Sequence, residues 1–206
     1  MSFQELRRAV AGEIFDYQIL MHYLKEYKKP RDKVTLLIKD KTIIRVKKGL
    51  YIFGPDYRRS AISQEILANL IYSPSYISLE YALSKYGLIP ERAYVVTNIC
   101  LHRSRTFKTT VGVFAYKTRS LSTYPLGIRR VEIPQEGSYL IADPEKALVD
   151  LISQVKGLKN VQQMKEYLYE NMRMEQSDLK KLNKKLLGEI LSSYHISQAL
   201  IKAIYD

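Results

Sequence analysis

The sequence predicts an α+β chain in two parts: a small helical module closed by a basic hairpin over residues 1–56, then a mixed body over residues 57–206 with a small antiparallel sheet, flanking helices and a helical C-terminus. Three observations predict it. Apolar residues recur at helical spacing through the first helices, and the pattern switches to alternation between Thr42 and Phe53. A turn cluster, Gly54-Pro55-Asp56, then separates this region from a longer stretch in which helical stripes bracket runs of β-branched and aromatic residues. At 206 residues the chain suits one large or two small cores, and 46% hydrophobic with 26% charged residues is the ordinary balance of a packed protein.

A short helix is expected over residues 4–10, ended by Gly12. In residues 15–27, Tyr17, Leu20, Met21 and Leu24 fall at i, i+3, i+4 and i+7 and make one apolar stripe. The third helix opens at Pro30, whose missing N–H costs nothing in a first turn, and Asp32 complements the positive end of the helix dipole. Val34, Leu37 and Ile38 share its inner side. Asp32, Thr35, Leu36 and Lys39 take the outer side, with Arg31 at the edge. TIIRVKKGLYIFG follows as a hairpin: Ile44 and Val46 point one way, Arg45 and Lys47 the other, and Lys48-Gly49 turns the chain into Leu50, Tyr51, Ile52 and Phe53.

In the second part, Ile62, Ile66, Leu67, Leu70 and Ile71 form a helical stripe. Ser78 is placed to cap a helix carrying Leu79, Ala82, Leu83 and Tyr86 inward and ending at Gly87. YVVTNICL, RTFKTTVGVFAY, GIRRVEI and SYLIA read as strands of one antiparallel sheet. Asp143 then caps and Pro144 begins a helix with Ala147, Leu148, Leu151 and Ile152 on one face. Further helices are expected over residues 161–171, 177–187 and 189–205; the last carries Ile196, Leu200, Ile201 and Ile204 as a stripe packed internally.

The net charge is +12, unevenly placed: residues 1–60 hold 14 Lys and Arg against 7 Asp and Glu, a surplus of +7. Three helices followed by a cationic hairpin is the order of a winged helix-turn-helix. In that fold the third helix enters a major groove about 12 Å wide while the hairpin lies along adjacent phosphates. The residues placed for this are Arg31, Lys33, Thr35, Leu36, Lys39 and Lys41 on or beside the third helix, with Arg45, Lys47 and Lys48 on the hairpin. Cations supply attraction independent of base sequence, and an exposed Leu36 can meet a thymine methyl. The partner expected is double-stranded DNA.

Other classes find less support. No stretch is apolar enough for a membrane span and the first residues lack a signal core, so a cytoplasmic location is expected. The single cysteine, Cys100, is read as a buried strand residue. Gly137-Ser138 with Asp143-Pro144-Glu145 superficially has the Gly-Ser and paired carboxylates of a nucleotidyltransferase, but Pro144 suits a helix start rather than a strand presenting two metal ligands. His102 lies near Arg103 and Arg105 without an adjacent carboxylate or nucleophile, and His22 and His195 have no partner at metal-ligand spacing. No enzyme, cofactor or metal is expected. The rival reading is a protein-interaction module without specific DNA binding.

The chain resembles the AbiEi-type antitoxins, transcriptional regulators of type IV toxin-antitoxin and phage-defence systems. The resemblance covers the chain to about Ile152 and rests on IIRVKKGLYIFG, YISLEYALSKYGLIPE, FKTTVGVFAYK and ADPEKALVDLI. It implies an N-terminal domain that binds inverted repeats in its own promoter, with Arg45, Lys47, Lys48, Gly49 and Tyr51 of the hairpin at the DNA. It further implies a second domain that opposes a nucleotidyltransferase-like toxin.

Overall fold

A computed structural model describes residues 3–206, and the chain is α+β with ten α-helices and two sheets among those residues. The N-terminal elements run α1 (Phe3–Ala9), β1 (Ile14–Asp16), α2 (Tyr17–Leu24), α3 (Pro30–Lys39), β2 (Ile43–Lys47) and β3 (Leu50–Phe53). Their strands form a three-stranded antiparallel sheet in the order β1-β3-β2. Alternation along β3 decides how this sheet packs. Tyr51 and Phe53 join Leu6, Phe15, Leu20, Leu24, Val34 and Leu37 in a helical core. Leu50 and Ile52, pointing oppositely, join the core of the larger body, where Ile14, Ile44 and Val46 pack beside them. One small sheet therefore serves two cores.

The expected helix over residues 15–27 begins later, because the first of those residues are taken into β1, where Phe15 pairs with Tyr51. Asp16 then caps α2, its carboxylate accepting from the Ile19 N–H at 2.8 Å. Glu13, 3% exposed, secures the junction between the two parts. Its carboxylate accepts from the Arg7 guanidinium and from the backbone N–H groups of Arg59 and Ser60 at 3.0 and 3.2 Å.

The larger body contains α4 (Gln64–Ile71), β4 (Ser75–Ile77), α5 (Leu79–Lys85), β5 (Val95–Cys100), β6 (Arg105–Thr109), β7 (Gly112–Thr118), β8 (Ile128–Ile133), β9 (Gly137–Ala142) and α6 (Pro144–Ile152). Its six-stranded sheet runs β6-β7-β5-β4-β9-β8. It is mixed rather than antiparallel as expected: β5 pairs with β7, and β4 with β9, in parallel. The short β4, which precedes the predicted cap at Ser78, fills the centre, and β6 folds back to the outer edge of β7.

The C-terminal segment forms α7 (Val161–Lys165), continuing into a π-helical turn over Glu166–Asn171, then α8 (Gln176–Leu179), α9 (Lys184–Ser193) and α10 (Ala199–Tyr205). Two of the expected helices are broken here. Asn183 caps a new start by accepting from the Leu186 N–H at 3.1 Å, and His195 at φ 53° turns the chain between α9 and α10. Leu200 and Ile204 are fully buried, so this stripe packs internally.

Neither Ser78 nor Asp143 caps its helix through its side chain. The Asp143 carboxylate instead lies 3.4 Å from the Arg129 Nε. The Ser78 hydroxyl donates to Asp150 at 2.6 Å. Asp150 and Lys146, one turn apart on α6, are both fully buried. The carboxylate also accepts from the Tyr76 hydroxyl at 3.0 Å and from Tyr194, while the Lys146 ammonium donates to Tyr194 at 2.8 Å and to the Thr123 carbonyl. This cluster ties β4, α6 and the end of α9 together. Burial pushes the ammonium down to about 8, opposed by the neighbouring carboxylate.

Candidate nucleic-acid interface

Helix α3 spends one side on the core. Val34 and Leu37 are buried, and Ile38 packs beside them. Arg31, Thr35, Leu36 and Lys39 are all exposed, so the expected outer face is open. Leu36 is 49% exposed, an apolar side chain set among polar ones. The Thr35 hydroxyl donates back to the Arg31 carbonyl at 3.2 Å, which leaves its methyl and a lone pair outward.

The end of α3 is held firmly. Lys41 adopts φ 56°, turning the chain out of the helix, and its carbonyl presses on Gly54, where a Cβ would stand 1.8 Å from the Lys41 oxygen. Only glycine fits that approach. The Gly54 N–H donates to the Thr42 carbonyl at 2.8 Å, fixing the start of β2 against the end of β3. Lys41 is exposed beside this turn.

The hairpin divides its cations. Arg45 pairs with Tyr51, but Lys47 pairs with Leu50, because a bulge between Arg45 and Lys47 leaves Val46 without an opposite residue. Paired residues share a face, so Arg45 lies on the side of the sheet that carries the helices, and Lys47 on the side of the larger body. The alternation that would put them together is broken. The Lys47 ammonium donates to the Ile71 carbonyl, the last of α4, at 2.6 Å, and burial holds it below the usual lysine range. Tyr51 is 5% exposed, in the helical core between Phe15 and Tyr17. Lys47 and Tyr51 are therefore withdrawn from the cationic surface. Arg45 and Lys48 remain exposed, the latter beside Gly49 at φ 88°.

Lys33 is half-buried, its ammonium 5.6 Å from the Tyr27 ring. Two further cations, Lys28 and Lys29, are exposed immediately before α3. No periodicity or motif of the sequence marks this pair, which lies in the turn between α2 and α3.

The other sites weighed on sequence hold together less well. Cys100 is buried and donates to the His102 carbonyl at 3.2 Å, with its thiol pushed up by burial. The Glu145 carboxylate accepts from the Asn183 N–H, and Asp143 faces Arg129. Among the described residues no group of three or more His, Cys, Asp or Glu is placed to hold a metal ion, and no helix is long and apolar enough to cross a membrane. The sequence matches no protein-family model and no curated protein.

Proposed function

We propose that this chain binds double-stranded DNA through the outer face of α3, with Lys28, Lys29 and Lys41 at the helix ends and Arg45 and Lys48 on the hairpin holding phosphates. The observation that carries the reading is the composition of the uncovered side of α3, where Arg31, Thr35, Leu36 and Lys39 are exposed together while the opposite side packs. A guanidinium, a hydroxyl and an apolar group on one helix are the side-chain types that read base edges. The element order, with β1 between the first two helices and the sheet order β1-β3-β2, supports assigning a winged helix-turn-helix.

On the resemblance to AbiEi-type antitoxins, the duplex is a promoter inverted repeat and the larger body opposes a nucleotidyltransferase-like toxin. The cation assignments of that resemblance are revised: Lys47 and Tyr51 have structural roles, and the turn before α3 takes their place. Selection of bound sequences from a random duplex pool, followed by anisotropy titrations, tests the proposal. Leu36→Ala is expected to relax preference at one thymine, worth about 1 kcal/mol, and Arg31→Ala with Lys39→Ala to weaken all duplexes. Selection that yields no preferred sequence, with α3 variants binding as the parent does, overturns it.

A further inference from the structure

The larger sheet ends on two strands, β6 and β8, that have a neighbour on one side only. A strand edge of this kind presents a row of main-chain donors and acceptors, and the charges beside them decide whether another strand can use them.

β8 is a regular edge. Its six residues pair with β9 without a register shift, from Ile128 opposite Ala142 to Ile133 opposite Gly137. The Asp143 N–H donates to the Gly127 carbonyl at 2.8 Å, which fixes the phase of the antiparallel ladder. Arg129, Val131 and Ile133 therefore bond to β9, and the N–H and C=O groups of Ile128, Arg130 and Glu132 point away from it. Among the described residues none of those groups meets the backbone of another element.

Two of these outward positions carry opposite charges. Arg130 and Glu132 lie 3.4 Å apart on one face of the strand with side chains 65% and 74% exposed, beside the exposed Leu140. The Arg130 Nε donates to the Ser138 hydroxyl at 2.9 Å, and the guanidinium keeps further donors. Arg129 is turned to the other face, toward Asp143. The opposite edge differs: β6 offers Arg105 and Lys108 and no carboxylate to complement them.

The spacing of the two charges selects a partner. When a second β8 lies antiparallel with Val131 opposite Val131, Arg130 of each copy stands opposite Glu132 of the other, and each such pair exchanges both N–H···O=C bonds. Sliding the copies two residues either way sets Arg130 against Arg130 or Glu132 against Glu132, so charge specifies this register.

We propose that β8 pairs with β8 of a second copy of this chain in that register, joining two six-stranded sheets across a two-fold axis. The contact is small and its charges are solvated, so the dissociation constant is on the order of 10 µM. Because the contact is isologous, it consumes the edge on both copies and stops at a dimer. It uses no residue of α3 and stands apart from the DNA reading.

The test is sedimentation equilibrium of the full chain without nucleic acid, from about a tenth to about thirty times that concentration. The parent should show a monomer–dimer equilibrium. Arg130→Glu and Glu132→Arg should each weaken self-association about tenfold or more, because both symmetry-related pairs become like-charged. An equimolar mixture of these two variants should associate as the parent does, since the carboxylates of one then face the arginines of the other. Both exchanges in a single chain should restore association as well. Loss of the ion pair within one chain cannot produce rescue by mixing. Arg31→Ala with Lys39→Ala should leave the equilibrium unchanged, so failure of this contact and failure of the α3 reading are distinguishable. A parent that stays monomeric at the highest concentration overturns the proposal. So do single variants that dimerise as the parent does, or a mixture that stays monomeric beside a dimerising parent.

Discussion

Replacing Lys47 by alanine separates the packing role of the hairpin from its proposed DNA role. The ammonium donates to the Ile71 carbonyl at 2.6 Å from a half-buried position, across the junction between β2 and α4. A hydrogen bond from a charged donor contributes about 1.5–3 kcal/mol, and partial exposure puts this one near 1.5, because water can satisfy the freed carbonyl. For a chain of this size, ~2–4 °C per kcal/mol translates that into a melting temperature lowered by about 3–6 °C. The duplex salt slope should stay where it is, since Lys47 faces the larger body. By contrast, Lys48→Ala or Lys39→Ala should each reduce the slope by about 0.9 and leave the melting temperature within about 1 °C. Thermal unfolding by circular dichroism and anisotropy over a salt series measure both quantities. A Lys47→Ala protein with an unchanged melting temperature and a slope shallower by about 0.9 would refute the reasoning, bulge included.

Other parts of the fold make equally checkable demands. Lys146→Met strands the Asp150 carboxylate in a fully buried site and should cost about 3–5 kcal/mol in urea unfolding; adding Asp150→Asn, which still accepts from Tyr76 and Ser78, should recover at least half. Tyr76, Tyr116 and Tyr194 are held above the usual phenol range, first of all by burial. The unfolded chain releases those protons near pH 10 and the folded chain does not, so stability should fall above pH 10 by about 1.4 kcal/mol per pH unit for each tyrosine. Tyr116→Phe should make that decline shallower. A fragment of residues 1–60 should fail to fold as a soluble monomer, because it uncovers Leu50 and Ile52, each worth about 1.5–3 kcal/mol of burial; a cooperative thermal transition for that fragment would contradict the shared sheet.

The helices of the first part were legible because their signals are local. Pro30 opens α3, where its missing N–H costs nothing, and the periodicity of Val34, Leu37 and Ile38 places Leu36 outward, where it is 49% exposed. What escaped depends on contacts distant in sequence. β1 is three residues long and exists because Phe15 finds Tyr51 across the sheet. β4 is equally short, and its central place rests on pairing with Cys100 on one side and Ile141 on the other. The bulge at Val46 has no composition of its own: Ile44-Arg45-Val46-Lys47 alternates as a regular strand would, and the shift shows only in the pairing with Tyr51 and Leu50. That single residue removed Lys47 from the candidate site. Tyr51 left it for a separate reason: a tyrosine central in a strand with cores on both sides packs first, and this one lies between Phe15 and Tyr17.

Two basic stretches of the chain also show why summed charge is a poor guide to where a polyanion lies. Residues 1–60 announce themselves with a surplus of +7, whereas the run from 92 to 131 disappears in the total for its body. What distinguishes the two is the groups around the cations. On α3 the arginine and lysine share a narrow convex ridge with a hydroxyl and an isobutyl group, which a groove can enclose and which contact different base edges differently. Between residues 92 and 131 the exposed cations are divided: Lys108 pairs with Val113 on one face of the sheet, while Arg105 pairs with Tyr116 on the other. Salt should therefore weaken binding at α3 while base sequence still matters there, because the hydroxyl and the isobutyl group accompany the cations. Duplex binding that is equally sensitive to salt but indifferent to base sequence would leave only phosphate contacts and would remove the base-reading role of α3.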